Sequence, residues 1–328
     1  MSGVIPYAVS VLTLIGFYAI VAMLLNLQAG WGGLWDLGLA GLLGAGAYFF
    51  VLATATSEAG ETLIFTPGWP MWLAILGAAA FTALVAFLIG LPALRLRGEY
   101  FLIVTFAFAE MMRQLVVNEP NLANGTVGFT ELQRPFAGSF APNDYKYFLL
   151  ALIAVLVVLT YLLMRRIGHS PYGRLLRAMR DNEALALALG KRVTRRRTQL
   201  RVFAGFLFGL AAPLYIWHIR AIVPAMYGPD ITFTTWTVLV VGGIGAVAGG
   251  VVGALVLVGI TEALLFIPVS TEHVDLLGGS KPFLLGLALI VVLRLRPDGV
   301  VTERWTFRKD RGPVAEGVRK RIQTVVGT

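Results

Sequence analysis

The chain has 328 residues, of which 57% are hydrophobic and only 14% charged, against about 25% charged in an ordinary soluble domain. A soluble core large enough to absorb that apolar content would still need a polar skin, which this sequence lacks, so bilayer hydrocarbon is the expected solvent. The formal charge of +9 does not indicate nucleic acid: eleven of the 27 basic residues lie between Arg165 and Arg201 and nine more between Arg294 and Arg321, both beside apolar runs. That is the pattern of cytoplasmic membrane loops, not of a continuous phosphate-binding face.

A spanning helix needs roughly 20 apolar residues. The first such run is Ala8–Leu27. It lacks a basic leader and exceeds the apolar core of a signal peptide, so it reads as a retained span. A Gly-rich turn at Gln28–Gly33 separates it from a second span, Leu34–Ala53, in which Gly38, Gly41, Gly44 and Gly46 form a face of small residues. Such a face suits close packing of membrane helices. A loop at Thr54–Pro70 carries Glu58 and Glu61, and the third span is Met71–Leu91. The basic link Arg95–Leu96–Arg97 opens a fourth span, Tyr100–Val117. A polar segment, Asn118–Asp144, precedes a fifth span at Tyr147–Met164, and the basic loop of residues 165–200 precedes a sixth at Leu200–Trp217.

The stretch Phe233–Ile267 is too long for one upright helix, and GGIGAVAGG (Gly242–Gly250) interrupts it. Gly242, Gly243 and Gly245 are the candidate breakers, and the final apolar segment is Pro282–Leu295. Both basic clusters belong on the cytoplasmic side, which requires an even number of crossings between them. Counting Phe233–Ile267 as a hairpin satisfies this and leaves acidic Glu272 and Asp275 outside. The expectation is an all-α polytopic bundle of about nine spans, with short or discontinuous helices around Gly242–Gly250, the N-terminus outside and the C-terminus cytoplasmic. Residues 1–298 would form the membrane domain and 299–328 a cytoplasmic basic tail.

Among polar residues inside spans, Glu110 and Arg113 stand three apart on one helical face. Charges there are costly unless paired or facing a cavity, so they form either an internal ion pair or part of a translocation path. Asp36, at the start of the second span, has the same two readings and a third as a helix cap. Nothing in the sequence suggests an enzyme. The three histidines are scattered without metal-ligand spacing, there is no GxxxxGK[ST] loop and no GxSxG elbow. Cysteine is absent, which excludes disulfide and thiolate chemistry.

The basic loop holds one further pattern, GRLLRAMRDNEALALALG. Asp181 or Asn182 can cap a short helix that begins with Glu183 and Ala184 and stops at Gly190. Its Ala/Leu surface lies outside the membrane, and either docking into a partner's groove or lying on lipid headgroups would account for it.

These runs, in this order, resemble the permease subunits of branched-chain amino acid ABC importers of the LivM type. The resemblance extends from about Leu25 to Gly299. It is carried by LNLQAGWGGLWDLGLAGLLGAGAY, LPALRLRGEYFLIVTFAFAEMMRQLVVN (Leu91–Asn118), the turn Asn124–Gly128, SPYGRLLRAMRDNEALALALG (Ser170–Gly190), VVGGIGAVAGGVVGA and LRLRPDGV. It implies a non-enzymatic transport subunit of a bacterial or archaeal cytoplasmic membrane. Asp181, Asn182, Glu183, Ala184 and Gly190 would be its coupling residues toward an ATPase. The implied partners are a second related permease, two cytoplasmic ATPases that hold ATP and Mg, and an extracytoplasmic solute-binding protein. Membrane lipid surrounds the chain, and no cofactor or metal is implied within it. Where this family commonly carries Ser, the chain has Ala246, and Asp36 is an additional acid. Urea and short-amide importer permeases share this architecture, so the solute stays open between them and hydrophobic amino acids. A secondary transporter is the remaining alternative.

Overall fold

A computed structural model of the chain describes residues 4–55, 65–94, 96, 98–136, 138, 144–265, 286–287, 290, 294 and 299–303. Glu58, Glu61, Arg95, Arg97, Glu272, Asp275, most of the segment Pro282–Leu295 and the tail beyond Glu303 lie outside the described residues.

Helix α1 (Val4–Asn26) continues through a π-helical turn, Leu27–Trp31, and contains no charged residue. After an extended stretch come α2 (Leu39–Thr54), α3 (Met71–Ala93), α4 (Gly98–Asn118) and a single turn, α5 (Pro120–Ala123). A two-residue strand, β1 (Phe129–Thr130), precedes α6 (Asp144–His169). At the basic end lie α7 (Pro171–Asp181) and α8 (Glu183–Ala188), followed by the long α9 (Val193–Ile219). The strand β2 (Ala221–Ile222), a 3-10 turn at Pro224–Tyr227, α10 (Pro229–Gly242) and α11 (Gly249–Leu265) complete the described chain.

Glycine positions show how the helices meet. A Cβ on Gly46 of α2 would lie 2.7 Å from Thr82 Oγ1 of α3 and 3.1 Å from the Cα of Gly209 in α9. One on Gly209 would meet the Ala78 carbonyl and Ala79 Cα, each at 2.7 Å. These three helices therefore pack backbone against backbone, as small residues allow within a membrane. Gly38, just before α2, and Gly41 within it lie against Thr105 and Ala109 of α4, so those two helices run parallel. Gly242 abuts Gly249 and Gly253, and Gly250 abuts Ala22 and Met23, which makes α10–α11 a tight hairpin with α11 antiparallel to α1.

Five helices among the described residues are long and apolar enough to cross a membrane: Ile5–Trp31, Met71–Ala93, Glu99–Asn118, Asp144–His169 and Val193–Ile219. Helix length therefore does not deliver the expected nine. Helix α2 has 16 residues and α10 has 14, below the roughly 20 that a free-standing span requires, and α11 is described as far as Leu265. The shortening has identifiable causes. Asp36 accepts from the Gly38 amide at 2.8 Å and makes a turn that delays the start of α2 to Leu39, while the 3-10 turn carries Tyr227 down to Gly44, so α10 starts within the bundle. The expected break at Gly242–Gly250 is a turn, with Gly243 at φ 114° and Gly245 at φ 86°, angles that favour glycine.

The bundle has two dissimilar ends. At the far end, β1 pairs antiparallel with β2 (Phe129 opposite Ile222, Thr130 opposite Ala221), joining the connection after α4 to the one after α9. At the basic end lie the π-helical turn, α7, α8, the Gly243–Ala248 turn and residues 299–303.

Candidate coupling elbow and the ion pairs of the bundle

Helix α7 begins at Ser170, whose hydroxyl accepts from the Gly173 amide at 3.2 Å, with Pro171 in the first helical position, where its missing N–H costs nothing. Gly173, Leu176, Arg177 and Met179 face the bundle. At Asn182 the chain leaves helical geometry (φ −153°, ψ 96°), and the Asn182 carboxamide oxygen accepts from the Leu185 amide at 2.9 Å. The same residue thus ends α7 and caps α8. Gly190, at φ 74° with nothing within 4 Å of its Cβ position, releases the chain toward α9.

Helix α8 stands out from the bundle. Ala186 is its buried residue, whereas Leu185, Leu187 and the C-capping Leu189 are 57%, 54% and 68% exposed. Glu183 pairs with Arg197 of α9 at 2.9 Å, and Asp181 pairs with Arg180 at 2.9 Å. Asp181, Asn182, Glu183, Ala184 and Gly190 therefore lie together on one projecting elbow. Leu185, Leu187 and Leu189 supply its apolar surface, which their alternation with alanine in the sequence already displays.

A side-chain cluster that sequence reasoning missed ties this elbow to the bundle. The Arg180 guanidinium donates to the Gly30 carbonyl and, at 3.1 Å, to Glu303. Trp31 Nε1 donates to the Gly245 carbonyl at 2.9 Å. Asn26 bonds the same turn twice, donating to the Ala246 carbonyl at 2.8 Å and accepting from the Gly245 amide at 2.7 Å. The amides of Val300 and Val301 donate to the carbonyls of Val241 and Gly242 at 2.9 and 3.0 Å. Arg177 donates to the Gly168 carbonyl at 2.9 Å and lies 6.0 Å from the Trp31 ring centre. Burial holds its guanidinium below the ordinary arginine range, and the Glu303 carboxylate opposes that shift. The α7 face, the end of α1, the glycine turn and residues 299–303 thus form one bonded unit.

Asp36 is separate from Glu110 and Arg113. Its carboxylate bonds Arg201 of α9 at 2.6 Å, and both side chains are 1% exposed. Arg201 Nε also donates to the Ala86 carbonyl at 3.2 Å, and the guanidinium lies 5.2 Å from the Phe101 ring centre. Trp236 Nε1 donates to the Asp36 carbonyl at 3.0 Å, with its ring stacked on Trp35 at 5.1 Å. One ion pair therefore joins the approach to α2, α3, α4, α9 and α10. The sequence did not single out Arg201, which follows the run Arg195–Arg197 by four residues.

Glu110 and Arg113 pair with each other on α4: Arg113 Nε donates to Glu110 Oε2 at 2.9 Å, and Gln114 Nε2 donates to Oε1 at 3.0 Å. Arg113 borders a cavity of about 460 Å³ between α2, α3, α4 and the Pro224–Tyr227 turn. Gly41 and Gly44 line this cavity, while Gly38 packs on Thr105, and Gly242, Gly243 and Gly245 shape the turn at the other end.

Comparison with known proteins agrees with this architecture. The family described as branched-chain amino acid transport system, permease component, matches residues 7–293. The high-affinity branched-chain amino acid transport system permease protein LivM of Escherichia coli is 27% identical over 317 residues, covering 89% of this chain and 69% of that protein. A probable LivM permease of Methanocaldococcus jannaschii is 26% identical over 320 residues, covering 88% and 91%. The Escherichia coli LivH permease is 28% identical over 184 residues, 56% of this chain and 54% of that one. No solved structure matches the chain. A multi-pass helical bundle whose whole membrane region matches in this way belongs to the permease-component family of branched-chain amino acid transport systems, the membrane-spanning subunits of ABC-type importers.

Proposed function

We propose that the chain forms one half of the membrane pathway of an ATP-driven importer of branched-chain or related hydrophobic amino acids. It pairs with a second, related permease. An extracytoplasmic binding protein delivers solute to the far end, and two cytoplasmic ATPases, which hold the ATP and Mg, drive the cycle. The basic end faces the cytoplasm because arginine-rich loops stay inside, which puts the N-terminus outside and the tail 299–328 inside. The membrane domain is residues 1–298, with nine crossings: α1, α2, α3, α4, α6, α9, α10, α11 and the segment Pro282–Leu295. The short helices α2 and α10, most of whose residues are buried, are tolerated because they pack within protein.

The observation that carries this reading is the α7–α8 elbow. A six-residue helix with leucines exposed at one end of a membrane bundle would gain nothing from water, and a hydrophobic groove on an ATPase subunit would bury it. Asp181, Asn182, Glu183, Ala184 and Gly190 set its angle and limits, and the leucines make the contact. The chain performs no covalent chemistry. Its work is alternating access, driven as the ATPases pull on the elbow.

The test is ATP-dependent uptake of radiolabelled leucine into vesicles holding the complete complex, with unlabelled valine or urea as competitor. Inhibition by valine and not by urea is expected. A complex that hydrolyses ATP but takes up no leucine would overturn the solute assignment. Leu187→Asp should abolish uptake and lower ATPase recovery with the permease, while membrane insertion is unchanged. Wild-type recovery of the ATPase would overturn the coupling assignment.

A further inference from the structure

A cavity lies between α2, α4 and the Pro224–Tyr227 turn. Ala40, Gly41, Gly44 and Ala45 of α2 line it, with Gly41 packed on Ala109 of α4 and Gly44 on Tyr227. At about 460 Å³ it falls within the roughly 300–1,000 Å³ common for small-molecule sites. Two of its lining residues, Tyr48 and Tyr227, are 6% and 5% exposed, and their buried hydroxyls have no hydrogen-bond partner among the described residues. On the same helix face as the cavity's Arg113 is Glu110, and these side chains remain 26% and 36% exposed. The pair is therefore bonded yet reachable.

We propose that this cavity receives the side chain of the transported amino acid, and that the Glu110–Arg113 pair opens to bind its backbone charges. This rests on the function proposed above and assigns residues to it. The complementarity has three parts. A branched aliphatic chain needs carbon walls, which α2 and α4 supply. Its carboxylate needs a planar, two-pronged donor, which Arg113 supplies. Its ammonium needs an anion, and Glu110 provides one as Arg113 turns to the substrate. The ion pair and the zwitterion are exchangeable partners, so entry of substrate leaves no charge unmatched, a condition any low-dielectric site must meet. A lipid tail would fit the walls but would make no use of paired opposite charges on the rim, and urea would make no use of the walls.

The experiment measures maximal uptake rates for leucine and valine in the reconstituted complex at saturating binding protein, so that delivery does not mask the permease. Met112 borders the cavity, and Met112→Trp should fill it. The leucine rate should fall about tenfold relative to the valine rate, the scale on which pockets discriminate methylene groups. Arg113→Met should lower both rates together, while ATP hydrolysis by the complex, which reports correct assembly, is retained. Wild-type leucine-to-valine ratios in Met112→Trp, with hydrolysis intact, would overturn this proposal and leave the importer assignment standing. Absence of leucine and valine uptake by the wild-type complex would instead overturn the importer's solute and this proposal with it. Loss of a co-purifying phospholipid in Met112→Trp, with the rates unchanged, would identify the cavity as a lipid site and also overturn it.

Discussion

The Asp36–Arg201 pair joins two residues 165 positions apart, each 1% exposed. Isolated, either charge would be severely disfavoured. Together, and with Gly38, Ala86 and Phe101 supplying further contacts, they set the position of the approach to α2 against α9. Removing one partner from a buried pair costs about 3–5 kcal/mol, whereas replacing both with apolar groups of similar size is often neutral. Asp36→Asn should therefore lower the melting temperature of the purified permease in detergent markedly, and the double variant Asp36→Leu/Arg201→Met should recover most of it. Equal losses in both would show that the pair is not the source of the effect. The sequence displayed Asp36 as an unexplained acid at a helix start. It did not display its partner, because Arg201 sits at the edge of a basic loop of many arginines, and only the fold distinguishes the one that meets Asp36.

Helices were legible wherever an apolar run was long and uninterrupted. The third, fourth, fifth and sixth expected spans correspond to α3, α4, α6 and α9, each extended by a few residues at its ends. The boundary after α1 was not legible: a turn was expected from Gln28, but the helix runs on as a π-turn to Trp31 because Asn26 and Trp31 bond the distant Gly245–Ala246 turn. The glycine face of α2 was legible as a packing surface, though which helices it meets was not. That surface yields a prediction for the α3–α9 contact. A Cβ at Gly209 would already lie 2.7 Å from backbone atoms of α3, which cannot rotate away. Gly209→Val should cost about 1–3 kcal/mol by overpacking and reduce the yield of folded protein. Gly259→Ala, whose Cβ would meet only Ile15 at 3.8 Å, should melt as wild type does.

At the scale of the molecule, the basic end holds together through Arg180, which reaches both Gly30 and Glu303. If the elbow is where the ATPase acts, this guanidinium carries displacement of α7 to α1 and to the α10–α11 hairpin. Arg180→Gln should then raise the number of ATP molecules hydrolysed per leucine imported several-fold, with the elbow still bound to the ATPase. The charge-exchanged double variant Arg180→Glu/Glu303→Arg should restore part of the stoichiometry. A wild-type stoichiometry in Arg180→Gln would make the contact a passive brace. No sequence pattern announced this cluster: Glu303 sits among tail residues that otherwise read as solvated, and it gains its meaning from Gly245, whose missing side chain leaves room for the carboxylate.

Helix α9 also connects the two ends of the bundle. Helix α9 has 27 residues and so measures about 40 Å. Near its start Arg197 holds Glu183 of the elbow, and just beyond its end β2 is stapled to β1. It is a connecting rod with a load attached at each face of the membrane, and its one internal joint is Pro213, where the helical hydrogen-bond ladder is interrupted. If the ATPase acts on α8 as proposed, a pull there should reach the opposite face as motion of the β1–β2 staple, with Pro213 as the place where the rod can bend.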